Sequence, residues 1–158
     1  MTSGTSRFLK RLLAWGALPR SDKWLALELV FELARARFQV SFVPFRVFAR
    51  YLGPPEIAIG HVVAGEPDPD PDTLRLIRVV QALTESLSAL LPWKCTCLVQ
   101  ALAVLRVLRR GGCRTNLCLG VHLAPSEMEA HAWLSHGSRI ITGRSAASGF
   151  SPLALFRG

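Results

Sequence analysis

CLVQALAVLRVLRRGG, residues 97–112, decides how the rest of the chain is read. Cys97, Ala101, Val104 and Leu108 recur at helical spacing with Leu98, Leu102 and Leu105 beside them, so a helix buried along one side is expected. Arg109 and Arg110 stand where cations suit a helix C-terminus, and Gly111 is a natural stop. Cys97 falls in the first turn. Unpaired amides and the positive end of the helix dipole there favour thiolate over thiol, and the same amides can hold an oxyanion. The plainer alternative is a small hydrophobe in a core, which is what most isolated cysteines are.

Downstream, residues 113–123 alternate as a strand does. Thr115, Leu117, Leu119, Val121 and Leu123 share one face; Arg114, Asn116, Cys118, Gly120 and His122 share the other. A loop at Pro125, Ser126 and Glu127 leads into Ala130-His131-Ala132-Trp133-Leu134. His136-Gly137-Ser138 reads as a turn, and Arg139 to Thr142 as the returning strand of a hairpin. A helix followed by antiparallel strands is the order that brings a helix-start cysteine to a strand-borne histidine. Neutral imidazole can take the thiol proton and return it to a leaving amine.

Upstream, Asp72 is expected to cap a helix reaching about Leu91, with Leu76, Val80, Leu83, Leu87 and Leu90 on one face and Pro92 as its end. Residues 53–72 hold five of the ten prolines and read as a surface loop, through which neither a helix nor a central strand can run. Its aspartates lack the following glutamate of a calcium loop. Residues 1–52 read as a helical region packed on the core. Ser21 would be an N-cap, and Leu25, Leu29, Leu33 and Phe38 a core-facing stripe. Pro44 would sit in the first turn of a second helix with Phe45, Val47, Phe48 and Leu52. Residues 7–13, basic and apolar, suit a short amphipathic helix packed on its own domain or in weak contact with a membrane surface.

The 158 residues suffice for a single domain, with residues 73–158 as its core. Half are hydrophobic, which excludes general disorder. The excess of 19 Lys and Arg over 11 Asp and Glu gives +8 and favours an anionic partner. No uninterrupted apolar run reaches transmembrane length, since Trp24 to Val47 is broken by Glu28, Glu32, Arg35, Arg37 and Arg46. A secretory signal fits badly, so a cytoplasmic protein with reduced thiols is expected.

Cys97 to Ala103, LRRGG, Leu119-Gly120-Val121, Ala130 to Trp133 and Ser151-Pro152-Leu153 together resemble the stand-alone leader peptidase of lasso-peptide biosynthesis. That family lies in the transglutaminase-like cysteine-protease superfamily, and the resemblance covers about residues 90–155. It implies an α+β fold: N-terminal helices, then a transglutaminase- or papain-like core with the cysteine helix packed on a small antiparallel sheet. It implies Cys97 as nucleophile and His131 as base of a hydrolase that removes the leader from a ribosomally made precursor, before a separate macrolactam cyclase acts. Nothing before residue 90 resembles a winged-helix leader-recognition domain, so a separate leader-binding protein is the implied partner. The family also places an aspartate about twelve residues after the histidine. Gly143 stands there, so the orienting carboxylate is either missing or replaced by another group, such as a backbone carbonyl or Glu129. No cofactor is expected on this chain: Gly111-Gly112 is no phosphate loop, and any ATP dependence would enter through the maturation complex.

Other readings compete. Cys95, Cys97, Cys113 and Cys118 as zinc ligands would need a paired C-x₂₋₄-C spacing that they lack, so no metal is expected. Arg106, Arg109, Arg110 and Arg114 would form the basic patch of a nucleic-acid module or attract an acidic leader, but no stacking aromatics accompany them, so no nucleic-acid partner is expected. A non-catalytic scaffold that presents leader peptide is the remaining alternative. Cys118 and His122 share a strand face that would line a cleft or pack.

Overall fold

Leucine-rich periodicity makes the helices, and their shared apolar faces make the core. A computed structural model describes residues 19–50, 52–57, 69–123, 128–143 and 150–157. Its helices are α1 (Arg20–Phe42), α2 (Phe45–Ala49), α3 (Pro71–Ser88) and α4 (Cys97–Arg110). Its strands are β1 (Glu56–Ile57), β2 (Asn116–Leu123), β3 (Met128–His136), β4 (Arg139–Thr142) and β5 (Ser151–Arg157). They form one antiparallel sheet in the order β1-β5-β2-β3-β4. The architecture is α+β.

Helix α4 is the centre. Val99, Ala101, Leu102, Val104 and Leu108 are fully buried among Leu29 and Leu33 of α1, Ile77 and Val80 of α3, and Leu117 and Leu134 of the sheet. Truncating one such leucine to alanine costs about 2–5 kcal/mol, because the close-packed surroundings only partly collapse into the hole. The other face of the sheet carries a smaller cluster of Cys118, Trp133 and Leu155, with Ile140 and Phe150 against it.

A second force joins α1 to α4. Glu32 is completely buried and paired with Arg106 at 3.3 Å and with Arg110; Glu28 takes the other arm of Arg110, and Gln39 accepts from Arg106. The basic patch expected from Arg106, Arg109, Arg110 and Arg114 is therefore not four solvated cations. Arg106 turns inward and Arg110 reaches over from the surface, because a carboxylate at Glu32 with no water around it needs guanidinium partners.

Several local expectations shift. Asp70, not Asp72, caps α3: its Oδ1 accepts from the amides of Asp72 and Thr73, each at 3.0 Å, and Pro71 occupies the first turn. The missing proline amide costs nothing at that position. The Thr73 hydroxyl bond, the largest cause, holds the Asp70 carboxyl below its usual pKa. Helix α3 ends at Ser88, before Leu91. Helix α1 begins at Arg20 behind Pro19, so Ser21 lies inside it and bonds Asp22 instead of capping. Pro44 is the N-cap of α2, one residue before its first turn.

The aromatic part of the α1 stripe is corrected outright. Phe38 is 61% exposed, with Trp24, Phe31 and Phe42 more exposed still. The buried side is Ala26, Leu29, Leu33 and Ala36. The helix is apolar on two opposite faces, and the smaller residues won the core because α4 approaches closely there.

Residues 53–57 are not all loop, since β1 pairs with β5 as an edge strand. The readings of residues 1–18, most of the Pro/Asp-rich segment (58–68) and the loop at 125–127 lie outside the described residues. Among the described residues, no helix is long and apolar enough to cross a membrane.

Candidate active site

Cys97 opens α4 after Thr96, whose carbonyl accepts the Gln100 amide at 3.0 Å. The Gln100 side chain reaches back to the Cys95 carbonyl at 2.8 Å and ties down the approach to the helix. The thiol is partly exposed. It is thus neither a fully buried hydrophobe nor a surface residue. It lines a cavity of about 360 Å³ together with Leu98, Leu119, Gly120, Val121 and His131, closed by Ala130, Ala132, Phe45 and Leu153. The wall is largely apolar, and residues 97 and 131 both border it.

His131 arrives on β3 opposite Gly120 of β2. Strand alternation puts its ring on the same face as Trp133, and the two rings stack at 6.2 Å and 22°. Phe150 closes against the imidazole at 5.1 Å. Gly120 makes room for this arrangement: a Cβ there would lie 2.8 Å from the Trp133 ring and 2.8 Å from the Ser151 carbonyl. The ladder between β2 and β5 shifts register at the same point, between Leu119 and Gly120. Bulges of this kind re-aim side chains beside functional sites.

The remaining contact sits where the sequence resemblance implies an aspartate. His131 Nε2 lies 3.0 Å from the carbonyl oxygen of Gly143. A carbonyl only accepts, so Nε2 carries the proton and Nδ1 keeps the basic lone pair. Gly143 has φ +79°, and a Cβ would stand 2.7 Å from the Ala132 carbonyl and 3.0 Å from Nε2. The close approach of the backbone is possible because no side chain intervenes. Gln81 of α3 donates to the Ile141 carbonyl at 2.8 Å and braces β4 two residues before this carbonyl. Glu129, the other candidate orienter, is exposed and pairs across the ladder with His122.

Cys97 and His131 come to the cavity from different neighbourhoods. Cys97 packs against the main core, whereas the imidazole lies with the rings of the smaller cluster. Among the described residues, no hydrogen bond joins the thiol to the imidazole. The imidazole stands on the sheet face away from α4, so a Cys97–His131 pair requires the ring to leave the Trp133 stack and turn toward the thiol.

The other thiols are elsewhere. Burial raises the Cys95 pKa, more than the neighbouring Ser88 and Trp93 lower it. Cys118 packs under Trp133, where burial pushes its thiol up to about 11, and it does not line the cavity. Cys113 is buried 3.7 Å from His136 Nδ1, which donates to the Arg114 carbonyl at 2.6 Å. Among the described residues, no three His, Cys, Asp or Glu side chains gather to hold a metal ion.

The sequence reading missed Trp133, Phe150 and Gln81. Trp133 was legible, since it follows His131 by two positions on a strand. Phe150 and Gln81 come from distant segments and carry no local signal.

No curated protein and no solved structure matches this chain significantly. A family model does, over residues 39–155, about three-quarters of the length. That span includes the cysteine helix, the sheet and both walls of the cavity. The chain, with a helix-start cysteine and a strand-borne histidine at one cavity, belongs to the transglutaminase-like superfamily.

Proposed function

We propose that this protein is a cysteine peptidase that removes the leader from a lasso precursor peptide, with Cys97 as nucleophile and His131 as base. The observation that carries the reading is that residues 97 and 131, a helix-start cysteine and a strand histidine, border one cavity; in this reading the imidazole turns from the Trp133 face to the thiol when substrate binds. The transglutaminase-like fold, of the cysteine-peptidase type, supports the reaction class.

The chemistry runs in two halves. His131 Nδ1 takes the Cys97 proton and the sulfur adds to the scissile carbonyl, whose oxygen is stabilised by amides at the start of α4. The imidazolium then gives its proton to the departing amine, the new N-terminus of the core peptide. Water, deprotonated by His131, adds to the leader thioester; its collapse frees the leader carboxylate and the thiol. Leu98, Leu119, Val121 and Leu153 offer an apolar wall for a substrate side chain beside the scissile bond. The partners in this reading are the precursor, a leader-recognition protein that delivers it, and a macrolactam cyclase. ATP, where needed, acts on the complex and not on this chain.

The test is cleavage of precursor in the presence of the leader-binding protein. Cys97→Ala should abolish cleavage, Cys95→Ala should leave it near wild type, and His131→Ala should suppress both cleavage and neutral-pH alkylation of Cys97. Wild-type cleavage by Cys97→Ala would sink the proposal. One observation favours a second reading, a non-catalytic scaffold: the partner of His131 is a neutral carbonyl, which supports an imidazolium less than a carboxylate does. Precursor binding by the wild type with no cleavage under any condition would select it.

A further inference from the structure

The outward face of α1 lies opposite the core and belongs to no site described so far. Trp24, Phe31 and Phe38 recur every seven residues, and Leu27 and Phe42 fill the same stripe. Trp24 is 75% exposed, Phe42 72% and Phe31 65%. From Trp24 to Phe42 the stripe runs about 27 Å, at about 1.5 Å per residue. Soluble surfaces scatter large apolar residues singly, so a continuous row of this length calls for a counterpart.

The charges say which. Arg20 stands in the same row, Arg35 beside it in a 3.6 Å pair with Glu32, and Arg46 and Arg50 follow, exposed, at and beyond α2. The acids of α1 leave Arg20, Arg46 and Arg50 without an offset there. Glu32 and Glu28 are held by Arg106 and Arg110 of α4, and Asp22 is two residues from Trp24, near the opposite side of the helix. A second copy of the chain would bring these cations against each other. The sequence ahead continues the same chemistry: residues 1–21 contain Arg7, Lys10, Arg11 and Arg20 with Phe8, Leu9 and Trp15, and no acid.

We infer that this face docks on an anionic lipid surface. Aromatic and aliphatic side chains on a long helix, rimmed by arginine, enter the headgroup boundary while the cations meet lipid phosphates. A plane meets such a rod along its whole length. The helix lies on the membrane and does not span it.

The test is flotation of the full chain with vesicles of phosphatidylcholine alone, or with one-third phosphatidylglycerol, at low and high salt. Binding should appear with phosphatidylglycerol at low salt and fall at least about tenfold without it or at high salt. Phe31→Ser with Phe38→Ser, both exposed, should keep the circular dichroism of the wild type and bind at least about tenfold more weakly. Cys97→Ala should bind like the wild type, so the outcome does not depend on the peptidase reading. Absence of binding at low salt, or equal binding by the double variant, overturns the inference. So does a dimer in sedimentation velocity that the double substitution dissolves, since the face would then belong to a second copy.

Discussion

Cys97 rises from a helix clamped to its neighbour by charges buried among leucines, whereas His131 stands on a strand held there by one backbone carbonyl and two aromatic rings. The first hold is stiff and costly to disturb, because Glu32 and Arg106 have given up water and rely on each other. The second hold is neutral. It sets the direction and tautomer of the imidazole through a 3.0 Å bond and a stack, without an ion pair. The thiol end should therefore fail by unfolding and the imidazole end by misplacement.

The sharpest way to break this contrast is Glu32→Ala. It leaves the Arg106 guanidinium, mostly buried, without its carboxylate, and burial already opposes that charge. Loss of about 3–5 kcal/mol in urea denaturation is expected. A loss under about 1 kcal/mol would show that the cluster is solvated and that packing alone joins α1 to α4.

The sheet side should answer to alkaline pH. Cys118 titrates at about 11 in the fold against an ordinary 9.0, because it is buried. Below 9.0 both states hold the proton. Above it the unfolded thiol ionises while the buried one waits until about 11, so stability falls as pH rises through that window. A tenfold change in proton affinity is worth about 1.4 kcal/mol, so the full loss is at most about 2–3 kcal/mol. Denaturation curves on both sides of the window check it, and Cys118→Ala should flatten the dependence.

Substitution at Gly143 separates orientation from stability. Gly143→Ala forces a side chain into φ +79° and against the Ala132 carbonyl, an expected cost of about 1–2 kcal/mol. Cleavage should fall at least about tenfold as the imidazole loses its seat. Gly143→Asp, which supplies the carboxylate that the sequence resemblance implies, meets the same obstruction and should be no faster than the alanine variant. An aspartate variant faster than wild type would mean that the sheet yields and the carboxylate is what the site lacks.

The smallest effect belongs to Arg157→Ala. Its bidentate pair with Glu56 ties β1 to β5 at 2.8 and 3.0 Å but is solvent-exposed, so a change of about 0–1 kcal/mol is expected. A larger loss would make the edge strand a structural element of the cavity, to which β5 contributes Leu153.

Local chemistry determined much of this from the sequence alone. The heptad-like leucines of residues 97–110, the glycine stop and the alternation through 116–123 depend only on neighbours along the chain, so α4, β2 and the hairpin were legible in them. Cys97 and His131 were legible as candidates because each carries chemistry of its own. The strand at 151–157 was not, since Pro152 and a short mixed run become strand only when β2 and β1 supply partners on both sides. Nor could periodicity choose between the two apolar faces of α1. Both satisfy a helix, and only the approach of α4, with arginines that needed Glu32, turned the aromatics outward. The group that orients His131 was equally out of reach. A backbone carbonyl has no letter in the sequence, and the one at residue 143 reaches the imidazole because a hairpin, a positive φ and the absence of a side chain coincide there.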